Sequence, residues 1–166
     1  MPCRVSYHYR HSTMAADTYA AVTDSVSFQP AKLRDLFPLY RLEKRCFPID
    51  SWPLIDIVMA LLMPRLVRLK AVWGGQVIGF VLGERERGVG WIATFGIDPD
   101  FRNRGIGTRL LREAEQVLGT KSFSLCVRSS NEAAIHLYRR NGYQSVDVWR
   151  RYYKGGEDAL VMEKVT

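Results

Sequence analysis

Residues 101–107, Phe101-Arg102-Asn103-Arg104-Gly105-Ile106-Gly107, decide how this 166-residue chain is read. They run straight into a helical pattern in which Ile106, Leu110, Leu111, Ala114, Val117 and Leu118 share one face, predicting a helix over 104–118. A helix start carries about half a unit of positive charge and unpaired N–H donors, so it favours an anion. Gly105 and Gly107 have no Cβ, so the backbone there can take positive φ and approach a ligand closely. Two known phosphate loops fail on spacing. A P-loop needs Gly-Lys-Ser/Thr where this chain has Gly107-Thr108-Arg109, and a dinucleotide fingerprint needs a third glycine where Leu110 stands. The alternative to an anion site is a solvated basic turn capping an ordinary helix.

Outward from this loop, the period on the N-terminal side is two. Leu66–Trp73 and Val77–Glu86 flank Gly74-Gly75, a turn whose central residues can both take positive φ. Val89–Asp98 forms the third strand of this meander, closed by Pro99. Earlier still, Leu33, Leu36, Phe37, Tyr40 and Leu42 predict a helix from Pro30-Ala31 to Cys46, stopped by Pro48. A second helix follows Asp50-Ser51, with Pro53 in its first turn, and Leu54, Ile57, Val58, Leu61 and Leu62 form its apolar face. Val26-Ser27-Phe28 reads as a short strand, and residues 1–24 as a polar extension outside the core.

On the C-terminal side Gly119 is placed to end the helix, and Phe123, Leu125 and Val127 alternate as a strand. Ser129 and Glu132 make a capping-box pattern for a helix carrying Ala133, Ala134, Leu137 and Tyr138 inward. Two final strands, about 143–152 and 158–164, surround Lys154-Gly155-Gly156. The order β-α-α-β-β-β-α-β-α-β-β predicts a mixed α/β domain over 25–166, a mostly antiparallel sheet of about six to seven strands with four helices.

Composition narrows the class. No run approaches the roughly 18–20 apolar residues of a membrane span, and the N-terminus has no apolar core of a signal peptide. Cys3, Cys46 and Cys126 lack metal-ligand spacing and read as reduced thiols, which predicts a cytoplasmic protein; the scattered His8, His11 and His136 suggest no metal either. The net charge of +7 suits a polyanionic ligand, but no long Lys/Arg tract marks a nucleic-acid arm. A monomer and a homodimer both remain open.

The order of elements, with Arg102, Gly105 and Gly107 filling an Arg/Gln-x-x-Gly-x-Gly/Ala pattern, resembles the GNAT N-acetyltransferases. The block Asn131-Glu132-Ala133-Ala134-Ile135-His136-Leu137-Tyr138 looks like the following helix of that family. The tail around Arg151-Tyr152-Tyr153-Lys154-Gly155-Gly156 is similar to RimI-type protein N-terminal acetyltransferases, and the resemblance spans residues 26–164. It implies acetyl-CoA as cofactor, with its pyrophosphate on the N–H groups of Asn103, Arg104, Gly105, Ile106, Gly107 and Thr108. It further implies that Phe95, Gly96 and Ile97 run beside the pantetheine arm and that Asn131 holds the arm. Asn131 as a plain helix cap is the other reading.

By resemblance Tyr138 is the general acid that protonates the departing thiolate; a phenol with a pKa near about 10 keeps its proton at pH 7. Its alternative is a core aromatic. Cys126 stands where such enzymes place a glutamate or histidine base, and a small buried apolar residue is the competing role. Trp91 occupies another base position and cannot accept a proton. Glu84 and Glu86 could act through water. An α-amine with a pKa of about 7.7–8.0 is roughly one-tenth neutral at pH 7, whereas lysine at about 10.4 is neutral roughly four times in ten thousand. A site without a strong base therefore suits a chain terminus, and the RimI-type resemblance implies that of a ribosomal protein as one candidate. Phe47-Pro48-Ile49 and Tyr152-Tyr153 would line the acceptor slot by the same resemblance. Acetylation of a small amine, or an idle acetyl-CoA-binding module, are the other functions considered.

Overall fold

A computed structural model describes residues 25–166, so the extension read at 1–24 lies outside the described residues. The chain runs β1 (Ser27–Pro30), a 3-10 turn (Leu33–Asp35), α1 (Leu36–Cys46), α2 (Leu54–Leu62), β2 (Leu66–Trp73), β3 (Gln76–Glu86) and β4 (Val89–Ile97). A second 3-10 turn (Pro99–Phe101) leads to α3 (Ile106–Leu118), β5 (Ser122–Arg128), α4 (Glu132–Arg140), β6 (Gln144–Trp149) and β7 (Ala159–Val165). One seven-stranded sheet holds them in the order β1-β2-β3-β4-β5-β7-β6, as the mixed, mostly antiparallel reading expected.

Two apolar layers sandwich this sheet. α3 lays Ile106, Leu110, Leu111, Ala114 and Leu118 on one face, against Ile78, Val81, Leu125 and Met162. α1 and α2 cover the other with Leu39, Leu42, Ile57 and Leu61 around Phe80. Gly74 and Gly75 take φ of 55° and 80°, the double positive turn that matches the twist of the flanking strands.

Several predicted details move, each for a local reason. The first helix begins at Leu36, after the 3-10 turn, because Asp35 turns its carboxylate back onto the Lys32 N–H (2.8 Å) and the buried Lys70 ammonium (2.6 Å). That rotates the inward face to Leu39 and Leu42, leaving Leu33 and Phe37 exposed. In α2 the inward face is Ile57, Ala60 and Leu61, while Leu54 and Leu62 are exposed. α3 starts at Ile106 instead of residue 104 because Gly105 is left-handed at φ 73°, and Val117 faces solvent. α4 is capped by Asn131, whose Oδ1 accepts from the Ala134 N–H at 3.2 Å. Ser129, the predicted cap, instead donates its hydroxyl to Glu157. Ile135 and Tyr138 are the inward residues of α4, and Ala133 is exposed. β6 ends at Trp149 because Asp158 takes the Arg151 N–H (2.9 Å) and Arg151 turns to φ 51°, so Tyr152 and Tyr153 lie in a loop rather than on a strand.

The sheet has one place where it does not stay zipped. β4 and β5 are parallel neighbours only from Val89↔Ser122 to Ile92↔Leu125. At that point Leu82 and Gly83 of β3 pair with Thr94 and Ile92, so Ala93 is an extra residue and β4 is bulged. A bulge bends its strand, and beyond it β4 and β5 diverge.

Candidate active site

The split between β4 and β5 is the mouth of a cleft of about 690 Å³, bordered by Ala93–Ile97, Leu125–Arg128, the 102–108 loop and α4. Its size suits a cofactor-scale ligand. Past Ile92 the edge of β4 is released from β5, so backbone groups of residues 93–97 are available to an extended ligand lying between the strands. Phe95, Gly96 and Ile97 are all on this wall. A side chain at Gly96 would meet Phe80 at 2.8 Å and Cys46 Sγ at 3.1 Å, so the wall there has to be bare backbone.

The loop before α3 is built to present its N–H groups. Asn103 and Gly105 take left-handed φ of 60° and 73°, and a Cβ added at Gly105 would point into open space. Successive turns of this kind make a concavity that binds anions. The loop is fixed from below: Arg45 of α1 bridges the buried Asp98 (2.8 Å) and Asp100 (2.9 Å), and Arg102 Nε donates to the Ile97 carbonyl at 3.0 Å. Arg102, Asn103, Gly105, Gly107 and Thr108 line the cleft. Arg104 instead turns back to the Asp100 carbonyl and the Phe101 ring, and Ile106 buries its side chain in the core, leaving its N–H toward the loop. Arg112, His136 and Arg140 join the cleft wall from α3 and α4. Arg112 and Arg140 stand beside the motifs in the sequence, but the three side chains converge only when the two helices pack.

Tyr138 sits deeper, only 6% exposed, with its ring 6.2 Å from Phe95 and 5.7 Å from Tyr143. Burial drives its phenol far above the ordinary value, and nearby Tyr153 adds to the rise, so the proton stays on Oη at any working pH. Tyr153 is raised in turn by burial and by Cys126, so the three side chains feel one another across the cleft. Cys126 is pushed up to about 11 by burial alone, which leaves it a neutral thiol at pH 7. Cys46, held against the Ile97 carbonyl at 3.4 Å, is raised to about 11 chiefly by burial, against the opposing pull of Arg102. Trp91 stacks on Trp149 at 6.2 Å, and Glu84 and Glu86 are exposed strand residues; none of them borders the cleft.

At the far end of the cleft one guanidinium ties three segments. Arg128, at the end of β5, contacts Asp50 of the α1–α2 loop and Glu157 of the β6–β7 loop, donates to the Lys154 carbonyl at 3.1 Å and lies 4.7 Å over the Tyr153 ring. Glu157 also accepts from the Ser130 N–H at 2.8 Å, and these bonds hold its carboxyl down at about 2. The two loops therefore form a slot instead of an open rim. Phe47 enters it, packed edge-on to Phe80 at 6.4 Å, and Tyr153 and Asn131 line it. Pro48, Ile49 (67% exposed) and Tyr152 stay outside.

One carboxylate in this site has no precedent in the sequence reading. Glu43 of α1 is 2% exposed and borders both the cleft and a void of about 10 Å³ beneath it. Its Oε1 accepts from the Trp52 N–H at 2.9 Å, while Oε2 is buried without a hydrogen-bond partner. Burial raises its carboxyl, with Asp50 contributing in the same direction. A Glu on a helix between Leu42 and Lys44 gives no periodic signal; only the position of Trp52, nine residues on, would have hinted that the loop folds back over it.

A concave backbone loop at a helix start, an unzipped parallel strand pair and a buried phenol are the parts of an acetyl-transfer site, and residues 34–143 match the acetyltransferase (GNAT) family. The chain belongs to that family and is an acetyl-CoA-dependent N-acetyltransferase. It is 37% identical to the N-alpha-acetyltransferase RimI of Mycobacterium tuberculosis, over 69% of this chain and 76% of that protein. It is 32% identical to ard1, catalytic subunit of the N-terminal acetyltransferase A complex of Schizosaccharomyces pombe, over 87% and 82% respectively. Its fold matches the ribosomal-protein-S18-alanine N-acetyltransferase from Escherichia coli with a TM-score of 0.77 and 25% identity, covering 84% of this chain and 93% of that one.

The residues present fit the cofactor: the open cradle at Gly105 has room for a pyrophosphate, and the bare wall at Gly96 would take a pantetheine arm. When bound, acetyl-CoA supplies an acetyl thioester. The 103–108 N–H groups would hold its phosphates, and Phe95 and Leu137 are apolar residues on the same cleft wall.

Proposed function

We propose that the acetyl acceptor is the α-amine at the N-terminus of a protein or peptide. The observation that carries this reading is the slot that Arg128 closes between the α1–α2 and β6–β7 loops, on a cleft lined by Phe47 and Tyr153. In this reading Tyr138 is the proton donor to the leaving sulfur, its Oη holding a proton where charge develops. Phe95, Gly96, Ile97 and Asn131 orient the arm, and Arg102 with the following N–H groups takes the phosphates. Cys126 is a neutral small side chain packed between the strands, not the base.

The names of the relatives support the same acceptor, and the alanine in the name of the E. coli neighbour makes a chain beginning with Ala the first one to try. The unpaired Cys46 and Cys126 support a reducing compartment such as the cytoplasm. Among the described residues no helix is long and apolar enough to cross a membrane.

The test pairs two peptides of the same sequence beginning with Ala. One has a free N-terminus and no lysine; the other is N-terminally blocked and carries one lysine. Acetylation read by intact mass is expected on the first at least about a hundredfold faster, following the difference in neutral amine. Equal turnover on lysine sinks the proposal, and turnover only on small amines replaces it.

A further inference from the structure

Transfer to an α-amine that is mostly protonated at pH 7 is accelerated by a group that takes its proton, and neither Cys126 nor Trp91 can do so. Among the described residues that border the cleft, only Glu43 and Asp50 are carboxylates. Asp50 is engaged by Arg128. Glu43 is not spent in this way: one oxygen holds the Trp52 N–H, and the other is buried without a partner. An unsatisfied buried oxygen costs folding free energy, and such a cost persists where a site uses the atom.

Three further observations agree. Glu43 borders the same cleft as Phe47, Trp52, Thr94 and Tyr138. The void beneath it, about 10 Å³, is the space of a single water. Its charged surroundings are few: Lys44 on its own helix, Asp50 on the loop, the thiol of Cys46, and Arg128, Tyr153 and Tyr138 across the cleft.

Resting on the acceptor reading above, we infer that Glu43 is the proton acceptor of the reaction. The N–H bond of the bound α-ammonium breaks, its electron pair stays on nitrogen, and the proton forms an O–H bond at Glu43 Oε2. Solvent removes that proton before the next turnover, so the step needs no other reactant. The acceptor amine is then a chain terminus for a second reason. A carboxyl raised by burial is far closer in proton affinity to an α-ammonium than to a lysine, and proton transfer is most efficient when the two are matched.

Glu43→Gln keeps an oxygen for the Trp52 N–H and removes only the proton acceptor. With acetyl-CoA and the free Ala peptide, E43Q is expected to lose about a hundredfold or more in kcat. Its KM for peptide and its affinity for coenzyme A, measured by calorimetry, should change by less than about threefold. A second readout is independent of activity. A raised carboxyl binds its proton more tightly in the folded than in the unfolded state, so its stabilising contribution is present at low pH and lost as pH rises through the folded value. E43Q should therefore melt no lower than the wild type at about pH 8, and should lose less stability between about pH 5.5 and about pH 8.

If E43Q keeps its kcat, or loses it only in step with a lower melting temperature at every pH, Glu43 is a structural strut and the inference is overturned. Should E43Q fail to fold, the wild type decides: the acid limb of kcat/KM must coincide with the titration of the Glu43 carboxyl carbon followed by NMR. A limb that instead follows the α-amine pKa of each peptide overturns the inference. A wild type that leaves the peptide unmodified brings down the acceptor reading and this inference together. A wild type and E43Q that are equally active bring down this inference alone.

Discussion

The two ends of the cleft are made in opposite ways. The donor end is backbone: seven consecutive residues, 101–107, turn on two left-handed positions and offer N–H groups, and their side chains mostly point elsewhere. The acceptor end is side chain: Glu43, Phe47, Asp50, Arg128, Tyr138 and Tyr153 come from helices, loops and a strand spread over more than a hundred positions. A backbone site has to be contiguous, because adjacent peptides make the cradle. A side-chain site has no such constraint. It depends on tertiary packing, and a close substitute can do its work from a different element.

The comparison makes the acceptor end fragile to single side-chain changes and the donor end sensitive mainly to backbone conformation. Tyr138→Phe should give the largest effect, a fall of about 10²–10³ in kcat with coenzyme A affinity nearly unchanged, measured by steady-state kinetics and calorimetry. A loss smaller than about threefold would remove the proton-donor role. Next is Gly105→Val, which forces a β-branched residue to φ 73°. Strain of about 1–3 kcal/mol should weaken coenzyme A binding by roughly tenfold, while Arg104→Ala, turned away from the cleft, should cost less than about threefold. If Arg104→Ala costs more than Gly105→Val, the donor end depends on side chains after all.

Arg128→Met should raise the peptide KM by about fivefold through release of the two loops, with coenzyme A binding unchanged. Equal losses for both ligands would mean that the slot and the cradle are one unit. The smallest effect is on pH. Glu157 is held at about 2 by Ser130 and Arg128, below its ordinary value, so its contribution is present above about pH 4.5 and is lost as pH falls toward the folded value. Acidifying through that window should speed amide exchange at Ser130 and in the 153–157 turn before it does so at Gly105.

This contrast also explains what could be read from the chain alone. The hairpin at Gly74-Gly75, the amphipathic α3 and its terminal Gly119, at φ 60°, follow from local rules and stand where periodicity put them. Errors fell where a partner distant in sequence intervened. Ser129 is as good a cap as Asn131 until Glu157 arrives from the β6–β7 loop and takes its hydroxyl. Tyr152 and Tyr153 continue an alternating strand until Asp158 captures the Arg151 N–H. At the site, the cradle was legible as a motif, and Tyr138 by the block around it. Glu43 and the Arg128 tie were not, because no spacing rule joins position 43 to 52, or 128 to both 50 and 157.

The early parting of β4 from β5 has one more consequence. Only four residue pairs join the meander to the C-terminal strands, fewer than join β2 to β3, β3 to β4 or β5 to β7. A molecule lodged in that gap would act as the missing rungs of the ladder and brace both halves at once. Saturation with its own co-substrate should therefore harden the protein against heat and proteases, by about 2.7 kcal/mol at a hundredfold excess over the dissociation constant. The lifetime of the protein in a cell would then follow the supply of activated acetyl groups.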